Sequence, residues 1–175
     1  MRANLELMLQ EKFPFMKRDM NASKDEQIQN TYQKWGCECS AGWYQLICEL
    51  CQEISDRYAE EEIPVDLVVE QIKQKFASLR FYYSFPGAPV KLQAFDCIGD
   101  SSIRFYPKND NDDDNHKKLS HDIAYIVGKY EEKSKTVCET CGQEGTIRMD
   151  MPWKRTLCDE CYGSYLKLLE EKKKK

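Results

Sequence analysis

Apolar residues recur at steps of three and four along three stretches of the chain, and this spacing predicts three amphipathic helices. The first runs from Trp43 to Tyr58. The second runs from about Val65 to Phe76, with Pro64 at a first-turn position where proline is tolerated. The third runs from Leu119 to Tyr130. The body of the protein is therefore predicted to be mostly helical.

Two shorter helices are predicted nearer the start of the chain. An apolar stripe over residues 5–9 ends near Pro14, which does not continue a helix. Ser23 followed by Glu26 forms a capping-box pattern, and Gly36 is a typical C-terminal stop. The segment between them is thus predicted to be helical.

The pattern changes in residues 79–85 and 103–106, which are rich in aromatic residues and are predicted to form strands. Alternation places Leu and Phe on one face of each strand and Arg and Tyr on the other. If the two strands pair, their second face is a basic, aromatic surface made of Arg80, Tyr82, Arg104 and Tyr106. Such a surface could stack bases or hold a phosphate. The alternative is a half-covered face in which the Arg stems lie across the tyrosines.

Composition indicates a globular protein with a mildly acidic surface. The 175 residues are 41% hydrophobic and 32% charged, and the net charge is −4. This charge argues against a protein that binds mainly through bulk positive potential. No run of about 18 apolar residues is present, so no membrane span is expected. Nine cysteines without a secretory signal pattern predict reduced thiols and metal ligands in a cytoplasmic protein.

Two Cys-x-x-Cys pairs near the C-terminus carry the strongest chemical signal. They are Cys138 with Cys141 and Cys158 with Cys161. Zinc takes four tetrahedral ligands and favours thiolates at structural sites, so these cysteines are predicted to hold one structural zinc ion. Four protein ligands close the coordination sphere, which argues against a catalytic metal.

The residues between and after the two pairs are predicted to return the chain to the metal. Residues 146–149 and 154–157 can form a hairpin, and Gly142 lies where a positive φ is often needed. Apolar residues at helical spacing, from Tyr162 to Leu169, place the second pair on the first turn of a helix. Knuckle, hairpin and helix in this order resemble a treble-clef zinc finger.

These elements predict an α+β fold: a mostly helical body, a small antiparallel sheet and a treble-clef-like zinc finger. We divide the chain into a body, residues 1–134, and a zinc module with a terminal helix, residues 135–175. The module carries nine Lys and Arg against seven Asp and Glu, whereas the body carries 17 against 23. The body is therefore the acidic part.

Two other groups of residues suggest metal sites with weaker patterns. Cys37, Cys39, Cys48 and Cys51 fit either a second metal site of unusual spacing or neutral buried thiols. The acidic residues 109–115 alternate as in a calcium loop, but the glycine and glutamate that such a loop needs are missing. A solvated acidic loop is the favoured interpretation.

No convincing catalytic set is visible. Cys97 has no local motif that would pair it with His116 or His121, and no phosphate-binding glycine loop is present. Trp153, with the neighbouring Lys154 and Arg155, lies at the predicted hairpin tip and is a candidate contact patch for a partner. The alternative is that the Trp153 ring packs under the terminal helix.

Three blocks of the sequence resemble a family of small, largely uncharacterised proteins found in bacteriophages and prophages. The blocks are GCECSAGWYQLICELC, VDLVVEQIKQKFASLRFYY and CETCGQEGTIRMDMPWKRTLCDECY, which cover most of the chain in the family's order. The four predicted zinc ligands match the family's C-terminal motif. The family has no established activity, so the resemblance implies a phage origin and an accessory role in infection.

The leading hypothesis is therefore a non-enzymatic protein that binds a host protein or a small signalling molecule in the host cytoplasm to counter host defence. The alternative is nucleic-acid binding through Arg80, Arg104, Lys154 and Arg155. A hydrolase or nuclease with an unrecognised site is a second alternative.

Overall fold

The computed structural model describes residues 1–19, 21, 30–86, 94–96, 102–107 and 114–173. For residues 94–96, 102–104, 114, 115 and 173 it describes the backbone alone. The predicted capping box at Ser23, the thiol of Cys97 and most of the acidic segment 109–115 lie outside the described residues.

Five α-helices and seven strands make up the described part of the chain, which confirms the α+β class. The helices are α1 (Ala3–Lys12), α2 (Thr31–Trp35), α3 (Tyr44–Glu60), α4 (Asp114–Lys133) and α5 (Asp159–Lys173). The strands are β1 (Cys37–Glu38), β2 (Val68–Lys75), β3 (Ser78–Ser84), β4 (Ala94–Asp96), β5 (Ser102–Arg104), β6 (Thr146–Arg148) and β7 (Arg155–Leu157). No helix among the described residues combines the length and apolarity that crossing a bilayer requires.

The core lies between one face of a three-stranded sheet and the helices of the body. The strand order is β1-β2-β3, with β1 parallel and β3 antiparallel to β2. Helix α3 packs against α4, and α4 packs against β3. The predicted apolar stripes of α3 and α4 are buried, which confirms both helices. Helix α2 begins at Asn30, whose side chain accepts a hydrogen bond from the Gln33 amide, and ends at Gly36 as predicted.

The predicted helix from Val65 to Phe76 is wrong, because Val68–Lys75 forms strand β2 and Pro64 lies in the loop before it. In a regular strand, residues three apart point to opposite faces. A bulge changes the register from Val69 opposite Tyr83 to Gln71 opposite Tyr82, so one extra residue lies between them. Val69 and Ile72 are therefore both buried although they are three apart. The bulge produces the spacing that resembles a helix.

The two predicted aromatic strands exist, but they are not partners of each other within the described residues. Strand β3 pairs with β2, and β5 pairs antiparallel with β4 in a separate two-stranded sheet. The free edge of β3 is covered by α4 and the turn after it. The Leu79 amide donates to Ser134 Oγ at 2.8 Å, and the Phe81 amide donates to Glu131 Oε1 at 2.9 Å. Side chains thus occupy backbone donors of β3 that a further strand would need.

Helix α3 ends in a Schellman motif without the usual glycine. The Ile63 amide donates to the Tyr58 carbonyl at 3.3 Å, and the Glu62 amide donates to the Ala59 carbonyl at 3.0 Å. Glu62 has a φ of 56°, a left-handed conformation that costs a residue with a Cβ roughly 1–2 kcal/mol. The Glu62 side chain is exposed.

Replacing Glu62 by glycine is expected to stabilise the protein by about 1 kcal/mol, because glycine adopts this conformation without strain. The midpoint of urea unfolding would measure the gain. Glu62→Ala is the matched control, since it removes the same carboxylate but keeps the strained backbone. Equal effects of the two substitutions would show that charge, and not backbone conformation, controls stability here.

Candidate metal centre

Four cysteine sulfurs converge at one point of the structure. Cys138, Cys141, Cys158 and Cys161 each offer one sulfur, and these atoms all lie within 4.8 Å of one another. The Cys141 and Cys158 sulfurs are 3.6 Å apart. Tetrahedral zinc with Zn–S bonds of about 2.3 Å separates its sulfurs by about 3.8 Å. The four sulfurs therefore lie close enough together to be compatible with a structural metal site.

The first pair lies on a tight knuckle. The Cys138 amide donates to the Gln143 carbonyl at 2.7 Å, and the Gly142 amide donates to the Cys138 carbonyl at 2.9 Å. Gly142 has a φ of 81°, as its position after the pair predicted. These bonds direct the sulfurs of Cys138 and Cys141 to the same side of the turn.

The hairpin and the terminal helix bring the second pair to the first. Strands β6 and β7 pair antiparallel, with Ile147 opposite Thr156, which confirms the predicted hairpin. Cys158 immediately precedes α5, and Cys161 lies in its first turn. The Tyr162 amide donates to the Cys158 carbonyl at 2.9 Å, and the Cys161 amide points to Cys158 Sγ at 3.4 Å. The second pair therefore lies at a helix start, as predicted.

The thiols of the cluster differ in acidity. Burial raises the pKa of Cys138, but hydrogen bonds from backbone amides of Cys158, Cys141 and Thr140 outweigh it and bring the pKa to about 7. Burial and the neighbouring sulfurs raise the pKa of Cys161. Four thiolates placed this close together would repel one another. A divalent cation that binds thiolates would remove this repulsion, so the donor set fits a metal ion.

No family model, curated protein or solved structure matches the chain. The resemblance to phage proteins therefore stays an expectation from the sequence. The assignment of a metal site rests on the geometry of the four cysteines.

Glu139, inside the knuckle, connects the cysteine cluster to the body. Its side chain is 3% exposed. One carboxylate oxygen accepts the Thr156 amide at 2.9 Å and the Gln74 side-chain amide at 3.3 Å, and the other accepts Arg155 Nε at 3.1 Å. The Arg155 guanidinium also donates to Ser40 Oγ at 3.3 Å. This network joins the knuckle and β7 to strand β2 and to the loop after β1.

Hydrogen bonds to backbone carbonyls hold the same junction closed. The Gly42 amide donates to the Glu139 carbonyl at 2.8 Å, and a Cβ at Gly42 would lie 2.3 Å from the Cys138 carbonyl oxygen. The Thr156 hydroxyl donates to the Ala77 carbonyl at 2.7 Å in the β2–β3 turn. Trp43 Nε1 donates to the Val137 carbonyl at 2.9 Å. The cysteine cluster is therefore anchored to the body on two sides.

The predicted patch at the hairpin tip is partly exposed to solvent and partly in contact with the body. The Trp153 ring is 62% exposed, and its indole Nε1 donates to Gln74 Oε1 at 2.8 Å. The Lys154 carbonyl accepts from Gln74 Nε2 at 2.7 Å, and Arg155 forms its ion pair with Glu139. Trp153 is thus oriented by a residue of β2, whereas Arg155 has a structural partner within the chain. Whether these residues contact a partner stays a prediction.

The predicted Arg/Tyr surface is not assembled within the described residues. Arg80 is only 8% exposed, and its guanidinium donates to Ser78 Oγ and to the Leu79 carbonyl. Tyr82 is half-buried in β3, and Lys73 lies over its ring. Tyr106 donates to Glu131 Oε2 at 3.3 Å. Arg104 lies in β5, and its side chain is outside the description. Their role as contacts stays a prediction.

The cysteines of the body do not form a second metal cluster in the described part of the chain. Cys37, Cys48 and Cys51 are buried in the main core, and Cys39 is half-buried. Burial raises the pKa of Cys37 and of Cys51 well above the ordinary thiol value. Cys37 and Cys51 therefore act as neutral, core-packing thiols.

Sequence reasoning missed Glu139 and Gln74. An acidic residue between two cysteines and a glutamine on a strand both have ordinary solvent-exposed interpretations, and no motif distinguishes them. Their burial depends on how the hairpin docks on the body, which no local pattern encodes.

Proposed function

We propose that this protein is a non-enzymatic binding protein whose C-terminal module is folded by one structural zinc ion. The four sulfurs within 4.8 Å of one another carry the proposal. Cys138, Cys141, Cys158 and Cys161 would supply all four ligands, which leaves no open coordination position for substrate or water. The metal would then act by holding knuckle, hairpin and helix together.

The order of these elements supports a treble-clef-like module. A knuckle carries the first pair, a hairpin follows, and the second pair lies at the start of α5. Zinc suits this set because it has no redox chemistry of its own and accepts four thiolates in tetrahedral geometry.

Exposed apolar side chains on the module support a binding role. Met149 and Trp153 near the hairpin tip are 65% and 62% exposed, and Leu168 on α5 is 57% exposed. Large apolar side chains presented on a rigid scaffold are typical of interaction surfaces. The partner that the resemblance favours is a host protein or a small signalling molecule, in a phage accessory protein that counters host defence.

Metal analysis of freshly purified protein is expected to find one zinc ion per chain. The same protein should capture a stoichiometric partner from bacterial lysate, and capture should weaken when Met149 is changed to serine. Leu7→Ser removes a similarly exposed aliphatic side chain from the body and is the control for that measurement. Protein without metal would contradict the zinc assignment. Failure to recover any protein or small-molecule partner would contradict the binding role.

No observation at the described residues favours nucleic-acid binding. Arg80 is buried, and Arg155 is paired with Glu139. That alternative stays a prediction, and a salt-dependent gel shift would test it.

A further inference from the structure

A groove lies at the junction of the body and the metal module. It has a volume of about 470 Å³ and is lined by residues that include Cys39, Ser40, Gln74, Trp153 and Arg155. Pockets for small molecules are commonly 300–1,000 Å³ and combine an aromatic or apolar wall with a few fixed polar groups. The groove has both features, and it is largely open to solvent.

One chain of hydrogen bonds fixes the polar groups along this groove. Trp153 Nε1 donates to Gln74, Gln74 donates to Glu139, and Arg155 donates both to Glu139 and to Ser40 Oγ. Glu139 is almost fully buried at the floor. Because each side chain is held by the next, little ordering remains to be done when a ligand binds.

The charges in the groove favour a neutral ligand group. Arg155 and Glu139 neutralise each other, and the Glu38 carboxylate is offset by the N-terminal ammonium of Met1, which also lines the groove. An anionic group would gain little here, whereas a planar ring could lie against the exposed face of Trp153. Ser40 Oγ accepts from Arg155 and keeps its own proton to donate, and Gln74 Oε1 has a second lone pair.

We propose that this groove binds a nucleobase, presented by a free nucleoside or nucleotide, stacked on Trp153 and hydrogen-bonded by Ser40 and Gln74. Aromatic side chains stack every type of base, and the edge of a base offers donors and acceptors for a hydroxyl and an amide. The volume accommodates one nucleoside. The inference rests on the proposed binding function. It takes the ligand to be a small molecule and places it in this groove.

Ligand titration followed by ¹H–¹⁵N NMR tests the proposal directly. The protein has three tryptophans, so its spectrum should contain three indole N–H signals, and Trp153→Phe identifies the one at the groove. Adenosine, guanosine, cytidine and uridine are titrated, then their 5′-monophosphates, then a single-stranded 12-mer. We expect at least one nucleoside to shift the Trp153 signal saturably, with the monophosphate binding within about threefold of it.

Variants separate groove binding from unspecific stacking. Trp153→Ala should weaken binding at least tenfold, as read from the ligand's own signals. Trp35→Ala removes a 61% exposed ring elsewhere and should not change it. Zinc content is measured on each variant to show that the module is intact.

Three results would overturn the proposal: no shift with any nucleoside at 10 mM, equal shifts at Trp35, or a response to the 12-mer alone. The last would assign the groove to nucleic acid. A protein that holds zinc and captures a protein partner but binds no nucleoside refutes this inference and leaves the proposed function standing.

Discussion

Changing Cys158 and Cys161 together to serine is expected to abolish zinc binding and to unfold residues 137–172. Among the described residues of the module, the buried apolar cluster consists of Cys138, Met151 and Leu157, which is too few to hold a segment of this length. Structural zinc contributes an apparent binding free energy of about 10–16 kcal/mol at pH 7. Without it, the conformational entropy of the chain should dominate.

Hydrogen exchange read by mass spectrometry measures this loss segment by segment. Amides of β6, β7 and α5 should exchange as fast as in an unfolded chain, whereas α3 and α4 stay protected because their core lies in the body. Cys48→Ala is the matched control, since it removes a buried thiol outside the cluster. Protection of the module in a metal-free double variant would show that its docking on the body is sufficient to fold it.

Local patterns predicted the parts of this protein whose structure depends on neighbours in sequence. The Cys-x-x-Cys pairs predicted a convergent cluster because each pair fixes its own sulfurs, and the intervening hairpin is short. The stripes of α3 and α4 predicted buried helix faces for the same reason. These features need few long-range contacts to form.

The segment 65–76 was misassigned because periodicity is ambiguous when a strand contains a bulge. The extra residue between Val69 and Gln71 turns a two-residue alternation into a three-residue step. The flanking signals did not resolve it, since Pro64 is as compatible with a loop before a strand as with the first turn of a helix. The pairing of β2 with β3 selects the strand.

The junction between body and module could not be predicted, because it is made by residues that lie far apart in sequence. Gln74 contacts Trp153, and Ser40 contacts Arg155. Considered alone, each of these side chains is of a type that is common at the solvent-exposed surface. Only the docked hairpin gives them partners, so the groove and its anchoring carboxylate become visible only in three dimensions.

Changing Glu139 to glutamine is expected to destabilise the docked module by about 2–3 kcal/mol. Removing one partner of a buried ion pair costs about 3–5 kcal/mol, and the partial exposure of Arg155 reduces this value. A glutamine oxygen can still accept the Thr156 amide, but its NH₂ group would then face the Arg155 guanidinium, donor against donor. The four cysteines are unchanged, so zinc content should remain one ion per chain.

Urea unfolding and hydrogen exchange at the Gly42 and Thr156 amides measure the effect, because the Gly42 amide donates across the junction and the Thr156 amide donates to the Glu139 carboxylate itself. Glu144→Gln removes an exposed carboxylate from the same module and should change stability by less than about 0.5 kcal/mol. Arg155→Met, alone and combined with Glu139→Gln, completes a double-mutant cycle that should give a coupling of about 2 kcal/mol. If Glu139→Gln matches Glu144→Gln, the junction does not depend on the buried carboxylate, and the knuckle would be held to the body by the remaining hydrogen bonds.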